Sequence, residues 1–354
     1  MTPATAALDA DARAGEGRWI LRRLRPDPGA PRLAGPAPDR WFADEVAGSG
    51  AESGTETETE TETYTNTDTD TDTDTDTDTD TAIETTTHGC VRFASDGEWL
   101  YGRAEVDDAR LGGMQAAGRR AYADIFAVLS GSASPHLLRL WNYFPGINAD
   151  GGGTERYRQF NVGRQEAFLD AGRSAFDGAP AACALGTRGG PLRVYFLAGR
   201  RPPLPIENPR QVSAYRYPDA YGPRSPTFSR AALAELSASS TALFISGTAS
   251  IVGHATLHAG DVRRQAAEAL ANIAAVRAVA AERAGRPFAA DALSYTLYVR
   301  NAADLGVVRE VFEQAVGAGN PAALDAIYFH ADICRADLLV EIEAHGIHRH
   351  PRTR

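Results

Sequence analysis

Hydrophobic and polar positions fall into a regular pattern from about residue 89 onward. CVRFA (90–94) and WLYGRAEV (99–106) flank the polar SDGE, which predicts a β-hairpin. GGMQAAGRRAYADIFAVLSG (112–131) carries apolar residues at helical spacing. LLRLWNYFPGI (137–147) predicts a strand that runs into a Pro-Gly turn, and 155–171 predicts a partial helix. AACALGT (181–187) and RVYFLAG (193–199) are short apolar runs of the kind found in buried strands. The segment 210–231 opens as a strand and becomes a Pro- and Gly-rich loop.

The second half is more sharply patterned. Residues 241–257 predict a hairpin, and 261–285 a long helix with Val262, Ala266, Ala269, Leu270, Ile273 and Val276 on one stripe. Asp261 is placed to cap its start and Gly285 to stop it. A strand at 292–300, a helix at 302–317 and two closing strands, IYFHADIC (327–334) and LLVEIE (338–343), complete the order ββαβαββ. That order predicts a two-layer α/β unit. The first half repeats it loosely. The expected fold class is therefore α/β (α+β): two two-layer units, each a mixed β-sheet with helices packed on one face. The expected division is a largely disordered region at 1–88, units at 89–230 and 231–347, and a tail at 348–354. RWILRRL (18–24) is a strand-like island in the first region, and His345, His348 and His350 are read as part of a frayed end.

Composition changes this picture in one place. The net charge of −10 comes from TETETETETYTNTDTDTDTDTDTDTDT (55–81), which holds four Glu, seven Asp and no base. Taking those eleven negative charges away from −10 leaves +1, so the charge says little about what the folded part binds. The tract has no apolar surface to offset ordering entropy and its charges repel, which predicts disorder. It also lacks the glycine turn and ligand cage of a calcium loop. No basic block points to nucleic acid. The three cysteines, Cys90, Cys183 and Cys334, fit neither a disulfide framework nor a zinc pattern. No secretory signal and no apolar run of membrane-spanning length is evident, so a cytoplasmic protein is expected. ADGGGTE (149–155) lacks the lysine of a phosphate loop, and His254 and His258 fall in a predicted hairpin, so neither a cofactor nor a metal is expected.

Candidate chemistry concentrates in ADICRADLLVEIE (331–343). A thiol (Cys334), a guanidinium (Arg335) and two carboxylates (Glu341, Glu343) sit close together there. On a strand Glu341 and Glu343 share a face and Ile342 takes the other. A plain charged sheet edge would also fit this run.

FISGTASIVG, AGDVRRQAAEALANI, SYTLYVRNAADLGVVREVF and VEIEA in the second half resemble the reactive-intermediate deaminase (Rid, YjgF-like) fold. The larger body, about 89–346, resembles the chorismatases through LRLWNYFPGIN, GGTERYRQFNVGRQEAF, PAACALGT, PLRVYFLAGRRPPLPIENPRQVSAYRYP, LFISGTASIVGH and ADICRADLLVEIE. That resemblance implies two Rid-like halves, a site built largely from the second, and cleavage of chorismate with release of pyruvate. It implies Glu341 as the catalytic acid, with Glu343 as the alternative, and Cys334 as a proton-transfer partner. Arg164 and Arg335, then Arg300 and Arg156, are the expected holders of the two substrate carboxylates, since arginine's fork suits carboxylates. Arg158 and Arg216 also fall within or beside the family words. Tyr217, with Tyr298 and Tyr157, is expected to hydrogen-bond the substrate, and Gly247 to lie beside it.

Cys334 and Gly247 together resemble the type that forms 3-hydroxybenzoate. The hydrolytic type, which carries alanine in place of that glycine, gives a 3,4-dihydroxycyclohexa-1,5-diene carboxylate. An imine-hydrolysing Rid enzyme and a non-catalytic Rid-like ligand-binding module are the more distant alternatives. A chain of two Rid-like halves can satisfy one subunit interface internally, so a monomer is expected.

Overall fold

The computed structural model describes residues 8–9, 85–95, 99–237 and 240–349. The Thr-acid tract and the run at 18–24 lie outside the described residues. Along the chain, β1 (Leu8–Asp9), β2 (Thr86–His88), β3 (Val91–Ser95) and β4 (Trp99–Val106) precede helix α1 (Met114–Ser130). β5 (His136–Pro145), α2 (Arg156–Asp170), β6 (Ala181–Thr187), β7 (Leu192–Gly199) and β8 (Leu204–Ile206) follow. Then come β9 (Ala231–Ser237), β10 (Ser240–Ala249) and a short hairpin of β11 (Ile251–Val252) and β12 (Ala255–Thr256). Helix α3 (Val262–Ala284), β13 (Ser294–Val299), α4 (Leu305–Val316) and the single turn α5 (Pro321–Leu324) lead to β14 (Ile327–His330), β15 (Asp332–Ile333) and β16 (Val340–Arg349).

Two mixed sheets result, ordered β15-β6-β5-β7-β4-β3-β2 and β1-β14-β13-β16-β10-β9-β8. Residue alternation decides how they stack. In β5, Leu137, Leu140 and Phe144 pack with α1 and α2, whereas Leu138, Trp141 and Tyr143 face the second sheet. Across from them stand Ala232, Ala234, Phe244 and Tyr298. The helix stripe Ala266, Ala269, Ile273 and Val276 covers the outer face of the second sheet. Each unit is thus a sheet with helices on one face, as expected, and the two sheets pack face to face. The layer order is helix, sheet, sheet, helix. This explains why so many strand residues are buried on both sides.

Asp261 caps α3 by accepting from the Arg264 amide at 3.0 Å, and Gly285 ends it in the left-handed conformation at φ 68°.

The structure corrects four readings of the pattern. Residues 241–257 are a long central strand followed by a separate small hairpin, since β10 pairs with β9 and β16. Residues 210–231 form two 3-10 turns, 214–216 and 219–221, where Pro218 and Pro223 cannot donate to a ladder. AALAELS at 231–237, at the start of the expected second unit, is strand β9; its alanines have low strand propensity, and tertiary packing overrides it. The closing strand continues through Arg349, so His345 and His348 lie in β16, not in a frayed end. Among the described residues no helix is long and apolar enough to cross a membrane.

Candidate active site

A cavity of about 440 Å³ opens at the seam between the two sheets. Three local irregularities shape it. The first is a bulge in β10, where the pairing with β16 slips between Ile245 and Thr248. Ser246 anchors the bulge to the first unit: its hydroxyl donates to Ser229 O at 2.6 Å and accepts from the Ala182 amide at 2.9 Å. Gly247 then faces the cavity. A Cβ built there would overlap Oε1 of Glu341 and stand 3.0 Å from Cβ of Cys183. The missing side chain is what leaves room for the Glu341 carboxyl.

The second irregularity is β15. After β14 the chain leaves the second sheet, and Asp332 and Ile333 pair with Gly186 and Leu185 of β6 in the first. The loop 334–339 then returns to β16, so Cys334 and Arg335 are held at the seam. Arg300 fixes that loop. It donates to the carbonyls of Leu338 (2.7 Å), Ile333 (3.0 Å) and Arg335 (2.9 Å), to Asp332 Oδ1 (2.6 Å) and to Asn148 Oδ1 (3.0 Å). The third is the β11–β12 hairpin, which supplies Ile251, Ala255 and Thr256 to the cavity wall. Arg335 Nη1 grips it through His254 O at 2.9 Å and Thr256 Oγ1 at 3.2 Å.

Glu341 is 3% exposed, and its carboxyl is pushed up to about 8 by burial and by the negative charge of Glu343, with Arg139 opposing. It is a carboxylic acid that keeps its proton near neutral pH. Cys334 Sγ stands 4.0 Å from Glu341 Oε2. Burial and the neighbouring Glu341 push its thiol up to about 12, so a neutral thiol stands beside the acid. Glu343 faces the same way as Glu341 but pairs with Arg139 of β5 and accepts from the Tyr298 hydroxyl at 3.1 Å. Tyr143 and Tyr298 share a further hydrogen bond of 2.9 Å. This buried cluster joins the two sheets directly beneath the acid.

Of the residues expected at the site, Glu341, Cys334, Arg335, Tyr217 and Gly247 line the cavity together. Tyr157 and Arg158 line it as well. Tyr298 is fully buried behind it in the Glu343 cluster. Arg300 is spent on the loop, where it positions Cys334 and Arg335. Arg156 ties Pro145 O (3.0 Å) to Asp108 (2.9 Å), and Arg216 is exposed over Tyr215. Arg164 is 1% exposed, stacked on Phe160 and bonded to Asn161 Oδ1 at 2.8 Å, and lies outside the cavity wall. The sequence reading missed Arg230 and Tyr221, which both line the cavity. They sit in the Pro- and Gly-rich segment, which carries no periodicity that would aim a side chain. It also missed Arg139, whose strand reads as plain core.

The arrangement offers a protonated acid, a neutral thiol beside it, and arginines facing one enclosed space. The chain is also similar to known proteins. A family model described as "Chorismatase FkbO/Hyg5-like, N-terminal" matches residues 77–198. The chain is 41% identical over 270 residues to a chorismatase of Streptomyces rapamycinicus, covering 73% of this chain and 78% of that one. It is 40% identical over 262 residues to a 3-hydroxybenzoate synthase of Streptomyces hygroscopicus, covering 72% and 75%. A chorismatase crystal structure superposes with a TM-score of 0.68 at 34% identity, covering 75% of this chain and 80% of that one. With most of its length matched at this level of identity, and with the fold in agreement, the chain belongs to the chorismatase family.

Proposed function

We propose that the protein cleaves chorismate to pyruvate and 3-hydroxybenzoate, with Glu341 as the acid that starts the reaction. The observation that carries this reading is the buried, protonated Glu341 on the wall of a cavity that also presents arginines. Glu341 gives its proton to the enolpyruvyl methylene carbon, which becomes a methyl group, and the adjacent carbon becomes an oxocarbenium. The ring 4-hydroxyl then attacks C3 as the C3–O bond breaks. Pyruvate leaves with that bond's electron pair, and the hydroxyl proton returns to the Glu341 carboxylate. The resulting arene oxide opens and loses a ring proton to regain aromaticity. No water is consumed, and the two products together hold the atoms of chorismate. Cys334, 4.0 Å from Glu341, is the group that passes protons during rearomatisation. The likeness to the 3-hydroxybenzoate synthase supports this product, as does the Cys334–Gly247 pair. The test is pyruvate release from chorismate in a coupled lactate dehydrogenase assay, with the aromatic product identified by chromatography. No pyruvate above background overturns the proposal.

Two further outcomes are expected. Because the acid must be protonated, kcat is flat at low pH and falls as pH rises through about 8. A rate that rises across pH 7–9 counts against Glu341 as the acid.

Gly247→Ala pushes a methyl group into the Glu341 carboxyl, so both the position of the acid and the pose of the ring change. Combined with Cys334→Ala, it is expected to move output from 3-hydroxybenzoate toward the diene diol while pyruvate release persists. Chromatography of the ring product reports the switch, since only the hydrolytic route consumes water and releases the diene diol. Unchanged product at the wild-type rate would reduce Cys334 to a core filler.

A further inference from the structure

Helix α3 carries two carboxamides on its buried side. Gln265 and Asn272 are both 0% exposed. An apolar residue fills such a place without the cost of burying an amide, and a buried amide must be matched by hydrogen bonds. Here both N–H groups and the carbonyl of each side chain are used. Gln265 Nε2 donates to Asp337 O at 2.8 Å and to His258 O at 3.2 Å, and its Oε1 accepts from the Leu339 amide at 2.7 Å. Asn272 Nδ2 donates to Ala249 O at 3.1 Å and to Ile251 O at 2.9 Å, and its Oδ1 accepts from Arg210 at 2.8 Å.

These partners are the backbone that frames the cavity. Asp337 lies on the wall in the loop 334–339, and Leu339 ends that loop two residues before Glu341. Ala249 is the ladder partner of Glu341, just past the bulge in β10. Seven residues separate Gln265 from Asn272, close to two helical turns, so both amides leave the same face of one rigid element about 10 Å apart. Asn272 therefore fixes the strand pairing that carries the acid. Gln265 fixes the far end of the loop that carries the thiol. Arg300 holds the carbonyls of Ile333, Arg335 and Leu338 in and beside the same loop, and the Asp337 carbonyl and Leu339 amide fall to Gln265.

We propose that Gln265 is a positioning residue that sets the separation of the Cys334 thiol from the Glu341 carboxyl, with Asn272 holding the strand of the acid to the same helix. The inference rests on the proposed reaction for what that separation does. Gln265 is not part of the cavity wall, so it acts wholly through the loop. Glutamine suits the place because one flat group presents a donor to a carbonyl and an acceptor to an amide two residues further on. Glutamate keeps the acceptor for Leu339 and loses at least one donation, and methionine keeps the length and loses all three bonds.

The test reads the loop and the chemistry separately. Full-length chains are treated with iodoacetamide, and alkylation of each cysteine is followed by peptide mass spectrometry. Cys334 sits in the loop, whereas Cys183 is 5% exposed in β6 and reports on the fold as a whole. In Gln265→Met the lost bonds are expected to speed alkylation of Cys334 roughly 10-fold, while Cys183 keeps its wild-type rate. A thiol that leaves its buried place beside Glu341 also ionises more readily, which adds to that rate. Gln265→Glu is expected to change in the same direction, and it supplies the comparison if the methionine variant does not fold. With chorismate, the share of diene diol is expected to rise relative to 3-hydroxybenzoate in both variants. The pH at which kcat falls is expected to stay at its wild-type place, because Glu343 and Arg139 are untouched. Equal acceleration of Cys183 and Cys334, no acceleration of Cys334, or an unchanged product ratio overturns the inference. A wild-type chain that releases no pyruvate sinks the reaction instead, and the two alkylation rates then decide the role of Gln265 alone.

Discussion

Glu341→Gln is expected to abolish pyruvate release while leaving the binding of a dicarboxylate inhibitor largely unchanged, and to make the fold more stable. The amide keeps the shape of the acid and loses the transferable proton; a positioned general acid contributes on the order of 10²–10⁴ in rate. The stability effect has a definite pH window. The folded-state value of Glu341 is about 8 against an ordinary 4.5. Below 4.5 both folded and unfolded chains hold the proton, and the carboxyl costs nothing extra. Between 4.5 and 8 the folded chain keeps a proton that the unfolded chain releases, so stability falls as pH rises until the folded form also ionises. Glutamine does not titrate. The melting-temperature advantage of Glu341→Gln should therefore be small at pH 4.5 and widen toward pH 8. A constant offset across that range, or a variant that still turns over at a near-wild-type rate, removes Glu341 from the mechanism.

The second large effect is expected at Arg139. Its pairing with Glu343 lies in the seam, with both side chains less than a tenth exposed. Arg139→Met leaves the Glu343 carboxylate buried without its cation, and breaking such a pair from one side typically costs about 3–5 kcal/mol. Arg139→Met combined with Glu343→Gln removes both charges and should recover much of the loss. Urea melts of the two single variants and the double variant give the coupling. The pair also acts on the chemistry. Glu343 helps hold Glu341 in its protonated form, so Glu343→Gln alone should move the fall in kcat to lower pH. Equal destabilisation by single and double variants, with no change in the pH profile, would leave the pair with no part in tuning the acid.

The sequence made the elements legible where periodicity was strong. Helix α3 announced itself through one apolar stripe between Asp261 and Gly285, and β6 and β7 through short apolar runs. The face-to-face stacking of the sheets was not legible. A strand buried between a helix layer and a second sheet looks the same in sequence as one buried between two helix layers. β9 was hidden by its alanines. At the site, Glu341, Cys334, Arg335, Tyr217 and Gly247 stand in segments whose words resemble a known family, and they meet at one cavity. Arg300 and Tyr298 come from the same kind of segment, yet they serve the architecture around the cavity, because a motif reports that a residue is needed without reporting which way it faces. Arg230 and Tyr221 were missed for the complementary reason: an aperiodic loop aims its side chains by tertiary contacts alone.

The detour of β15 has a mechanical consequence. Two residues of the late chain are stitched into the early sheet, while the segments on either side of them belong to the other one. The distance from Cys334 and Arg335 to Glu341 is therefore a ruler laid across the seam. If the halves slide or part by an ångström, that distance changes before either sheet loses a hydrogen bond of its own. Catalysis in such a chain reports on the docking of its two halves more sensitively than any spectroscopic measure of their secondary structure, and a mild denaturant should silence the enzyme while both halves remain folded.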